Sequence, residues 1–135
     1  MKFFAILAIA SATASCTASD APPEQLSART QSRLAEELRG YAAAGPPLNC
    51  VSQRDLRGNR SAGDAIIFEG RGDTIYVNRP VGGCPELGFN RALITRTTTT
   101  QLCRGDITTV FDTQSGIQFG GCGLGEFTPY RKTRG

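Results

Sequence analysis

The sequence predicts a mainly β fold: a small antiparallel barrel or sandwich of about six strands, with one N-terminal helix and two disulfides. Three observations predict it. Beyond residue 48, β-branched and aromatic residues gather in short runs separated by Gly, Asp and Ser, the mark of short strands. Before that point apolar residues recur every third or fourth position, the period of a helix. Four cysteines, Cys50, Cys84, Cys103 and Cys122, are spread through the β region. The 135 residues suffice for one domain, and Gly 16, Pro 7 and no Trp describe a thin core that cross-links would reinforce.

Taken in chain order, residues 1–15 read as a signal peptide: Lys2, an apolar run from Phe3 to Ala10, then small residues. That run is far shorter than the about 20 residues of a membrane-spanning helix. The sequence "Thr13-Ala14-Ser15-Cys16" resembles a bacterial lipobox. The resemblance implies diacylglyceryl transfer to Cys16, cleavage before it and acylation of its amine. The competing reading is ordinary cleavage after Ala14, which leaves Cys16 as a free thiol. Cysteine parity favours the lipid, because assigning Cys16 to an anchor leaves an even set of four. Residues 16–23 are polar and proline-bearing, as a tether should be. By the sorting preference of such lipoproteins, Thr17 points to the outer membrane, with the folded part facing the periplasm.

Residues 24–44 are expected to form an amphipathic helix. Leu26, Thr30, Leu34, Leu38 and Tyr41 make one apolar stripe, Pro22 and Pro23 precede it, and Gly45-Pro46-Pro47 ends it. Arg29, Arg33, Glu36, Glu37 and Arg39 occupy the other faces, a mixture of signs that suits packing on a β domain better than lying on lipid.

Residues 48–130 are expected to form the disulfide-stapled β domain. "AIIFE" (65–69) and "TIYVN" (74–78) flank the turn "GRGD", and "ITTVF" (107–111) and "GIQFG" (116–120) flank "DTQS". Residues 92–100 are dense in β-branched side chains and read as one strand, with Thr97 to Thr100 alternating between its faces. Weaker strands are expected at 50–56 and 124–130. "RGD" occurs twice, at 71–73 and 104–106, and reads as turn material. Residues 131–135 are expected to form a basic tail.

The chain has no histidine, and the inner cysteines are separated by 33, 18 and 18 intervening residues without a C-x-x-C pair, so zinc ligation is not expected. In an exported chain they should be disulfides. Three connectivities are open, and the expected one joins Cys50 to Cys122 and Cys84 to Cys103.

The composition excludes several activities. Without histidine there is no Ser–His or Cys–His nucleophile, and beyond the signal only Lys132 remains for a Ser–Lys pair. Asp55, Asp64, Asp73, Glu86, Asp106 and Glu126 show no spacing that sets two carboxylates on one element. No glycine-rich phosphate loop is present. The net charge of +3, which falls by one when Lys2 leaves with the signal, is too small to imply nucleic acid. No catalytic, cofactor-binding or metal-binding residue is therefore expected.

The segments "NCVSQRDLR", "GGCPELGF", "QLCRGDITTV" and "CGLGEF" together resemble a family of small uncharacterised exported proteins of Proteobacteria, over residues 49–128 or so. The resemblance implies an exported, cysteine-containing domain and no particular activity. Small periplasmic lysozyme-inhibitor lipoproteins have a similar design, at the level of fold alone. The expectation is a non-enzymatic binding or accessory module of the cell envelope. Its partners would be the membrane, through its lipid, and an envelope protein or glycan. The alternatives are a secreted hydrolase inhibitor and a small carboxylate-dependent envelope enzyme.

Overall fold

A computed structural model describes residues 23–88 and 91–134 of the chain, with side chains from Ala28 onward. The signal segment, Cys16 and the tether up to Pro22 lie outside the described residues. Helix α1 (Pro23–Glu37) is shorter than the expected 24–44. It stops because Gly40 takes a left-handed φ of +80°, which turns the chain back, and the Tyr41 N–H closes the turn on the Leu38 carbonyl at 2.9 Å. The residues beyond form a short strand instead, β1 (Tyr41–Ala43).

Nine more strands follow: β2 (Cys50–Ser52), β3 (Gly58–Ala62), β4 (Ala65–Glu69), β5 (Thr74–Asn78), β6 (Arg91–Thr95), β7 (Gln101–Cys103), β8 (Ile107–Asp112), β9 (Gln118–Gly123) and β10 (Phe127–Lys132). They form an antiparallel sandwich-like arrangement, not a closed barrel. One sheet has the order β1-β10-β5-β4-β3, a second β6-β8-β9, and β2 pairs with β7 alone. The expected basic tail at 131–135 is corrected for two positions, because Arg131 and Lys132 extend β10 and pair with Ala42 and Tyr41 of β1.

The larger sheet is covered on both faces, which explains why β4 is an unbroken apolar run. Ala65 and Ile67 join Ile75, Val77 and Leu34 in a core beneath α1. Ile66 and Phe68 point the other way, into a core with Phe127, Leu102, Val110 and Leu124. There the Phe68 and Phe127 rings meet at 57° with centroids 5.6 Å apart. Helix and sheet approach closely at Gly63, where a Cβ would lie 2.7 Å from the Thr30 carbonyl oxygen. Arg60 ties the end of α1 down, bonding Glu37 at 2.9 Å and Glu69 at 2.6 Å.

The disulfides are Cys50–Cys103 and Cys84–Cys122, which corrects the expected Cys50–Cys122 and Cys84–Cys103. Strand pairing decides this. Cys50 stands directly opposite Cys103 in the β2–β7 ladder. An isolated bridge from Val81 to Gly123 brings the segment before Cys84 alongside Cys122. The expected strand over 92–100 also breaks, at Thr95. Beyond it the Thr97 hydroxyl donates to the Thr99 carbonyl at 2.7 Å and the Thr99 hydroxyl to the Gln101 carbonyl at 3.0 Å. Such local bonds compete with a ladder and bend the chain into β7.

Candidate functional site

On the helix-covered face of the large sheet, β5 presents Ile75 and Val77, and Arg79 continues their alternation past the strand end. Opposite them, β10 presents Tyr130 and Thr128, with Glu126 just before it. Helix α1 packs on the apolar part of this face through Leu34, beside the charged positions Arg79 and Glu126. A cleft of about 340 Å³ opens there. Leu34, Leu38, Val77 and Tyr130 supply its apolar surface, and Arg79, Arg104 and Glu126 its charge.

A buried amide clamp positions these groups. The Asn78 side chain donates to the Gly125 carbonyl at 2.8 Å and accepts the Gly125 N–H at 2.9 Å. Asn78 is fully buried, so the clamp fixes the end of β5 against the entry to β10. Arg79 and Glu126 are the next residues on either side of it. Only glycine fits at 125, because a Cβ there would run into the Arg79 carbonyl oxygen. Arg104 reaches in from the β7–β8 turn and pairs with Glu126 at 3.1 Å. Arg79 has no carboxylate partner among the described residues.

Beside the cleft the chain rises into a tight loop. Gly83 N–H donates to the Pro80 carbonyl at 2.9 Å, and between them Val81 is 78% exposed. The loop stands on the buried Cys84–Cys122 disulfide.

The carboxylates singled out from the sequence are dispersed. Asp55 pairs with Arg71, and Glu86 with Arg91. Asp106 accepts the Cys103 N–H at 2.7 Å and shapes the second RGD turn, where Gly105 has φ +89°. Asp64 and Asp73 sit exposed in the β3–β4 and β4–β5 turns. Glu69 and Asp73 do line one groove of about 360 Å³, but among Arg57, Arg60 and Lys132. Asp112 has its carboxyl held below the ordinary value, chiefly by backbone N–H bonds from Ser115 and then Gln114. That bonding shapes the β8–β9 turn. Among the described residues no group of His, Cys, Asp and Glu is arranged to hold a metal. No helix among them is long and apolar enough to cross a membrane.

Sequence reasoning missed Arg79 and Arg104 as site residues. The only available signal was parity, since Arg79 falls on the same strand face as Val77. Comparison of the chain with protein-family models, curated proteins and solved structures gives no match.

Proposed function

We propose that this protein is a lipid-anchored binding module of the cell envelope, held by Cys16 and using the Arg79–Arg104 cleft to take a ligand with an anionic group. The single observation that carries the binding role is the cleft itself. It sets two guanidinium groups beside apolar surface, and one of them lacks a carboxylate partner among the described residues. Guanidinium groups are suited to carboxylate and phosphate oxygens, and the apolar wall adds area to whatever carries them. The anchor is supported by cysteine usage: the two disulfides consume Cys50, Cys84, Cys103 and Cys122, leaving Cys16 alone. Disulfides also favour an oxidising compartment.

Two measurements test the reading. Wild-type protein should incorporate labelled palmitate and fractionate with membranes, whereas Cys16→Ser should do neither; equal membrane retention of Cys16→Ser would sink the anchor. Titration of the purified protein with a fatty-acid carboxylate and with an alkyl phosphate should give binding that Arg79→Ala weakens about tenfold, the loss of a charge-assisted bond. Equal binding by wild type and Arg79→Ala would sink the cleft as the ligand site.

A second reading is favoured by the Val81 loop, whose exposed apex on a buried disulfide is a shape suited to insertion into the active site of a foreign hydrolase.

A further inference from the structure

We infer that the cleft and the Val81 loop together form a second membrane contact, with Arg79 and Arg104 holding an anionic lipid headgroup while Val81 and Ile107 enter the bilayer interface. This rests on the lipid-anchored reading of Cys16 and names the ligand class of the same cleft.

Two exposed apolar side chains carry the inference first. Val81 is 78% exposed and Ile107 66%. Val81 bridges Gly123, and Gly123 pairs with Ile107 on its other side. Residues opposed in antiparallel pairs project from the same face, so Val81 and Ile107 rise together, two strand spacings or roughly 10 Å apart. Between them Gly123 has no side chain, and a Cβ there would lie 3.7 Å from Ile107 Cδ1. The result is a flat apolar saddle. Val81 also lines the cleft with Arg79 and Arg104, so positive charge borders the saddle. The Arg104–Glu126 pair is exposed and of the kind that exchanges readily for another anion.

Chain length argues for a membrane as the occupant. Seven residue steps separate Cys16 from Pro23, at most about 25 Å of chain. From Pro23 the helix carries the chain a further 11 residue steps, about 16 Å, to Leu34 at the cleft. An acylated Cys16 therefore keeps the saddle within a short radius of the bilayer at high effective concentration. Basic and apolar groups at that distance gain from anionic lipid.

The chain contains no tryptophan, so Val81→Trp and Ile117→Trp each supply a single reporter. Ile117 is 56% exposed in the β8–β9 turn, at the opposite end of that hairpin from Ile107. Each acylated protein is reconstituted into phosphatidylethanolamine vesicles with and without phosphatidylglycerol, some chains being brominated. In anionic vesicles the emission from position 81 should shift to the blue and be quenched, and that from position 117 should not. Adding Arg79→Ala and Arg104→Ala should lower the contacting population about 25-fold, about fivefold for each arginine. Palmitate-labelled protein with position 81 as water-exposed as position 117 would overturn this inference and leave the anchor standing. So would quenching indifferent to the two arginines, or a photocrosslinker at position 81 that captures an envelope protein and no lipid. Absence of acyl label at Cys16 would instead overturn the anchored reading, and this inference with it.

Discussion

Asn78 and Gly125 stand 47 positions apart in sequence and act as one structural unit. Removing the amide in Asn78→Ala leaves a buried N–H and a buried carbonyl at Gly125 without partners. The cost is about 2–4 kcal/mol, expected as a lower urea midpoint with unchanged slope. Gly125→Ala should be at least as damaging, because its Cβ meets backbone and not a movable side chain. A urea midpoint within error of wild type in both variants would refute the clamp. Asp112 makes a smaller, pH-dependent contribution. Its folded-state pKa lies below the ordinary 3.8, so its stabilisation is present above that value and is lost as pH falls through the lower, folded value. Asp112→Asn should lose stability near neutrality and show a weaker dependence on pH below about 4, as read by thermal unfolding at a series of pH values.

Among the elements, the close contact of α1 with the β3–β4 turn depends on Gly63. It combines a φ of +71° with a Thr30 backbone that leaves no space for a side chain. Gly63→Val should lift the helix from the sheet and raise amide exchange in α1, while the β6–β8–β9 sheet stays protected. Much of the architecture was legible because the signals were local. The strands 65–69 and 74–78 follow from β-branched density around a Gly-Asp turn, and they match β4 and β5. Strand β3, "GNRSA", was not legible. It is an edge strand with a polar pattern, and its identity comes from register with β4. The one hint was Gly63-Asp64, a two-residue turn placing Ala62 opposite Ala65. The disulfide pairing failed for the same reason: β7 holds only three residues, and its partner β2 lies 53 positions from it at the cysteines. The cleft was hidden too, since Arg79, Arg104 and Glu126 come together only through the Asn78 clamp and the β7–β8 turn.

At the scale of the whole molecule, two thin cores share one sheet, and covalent links supplement them. The disulfides close intervals of 53 and 38 residues, each worth about 4 kcal/mol in the chain-entropy model. Cys84 and Cys122 are buried, whereas Cys50 and Cys103 are half-buried. Replacing the first pair by serine should therefore cost more than replacing the second, since it also leaves hydroxyls among Leu87, Leu93 and Leu124. Comparing the two double variants by urea unfolding checks the order, and a larger loss from Cys50→Ser with Cys103→Ser would reverse it.

The two cross-links interleave, since Cys84 lies between Cys50 and Cys103 and Cys103 between Cys84 and Cys122. A protease that severs any one peptide bond from 50 to 122 thus liberates no fragment. The nicked protein should migrate as a single species on a non-reducing gel and fall into two pieces only after reduction, so a single cut leaves the covalent frame of the β domain closed.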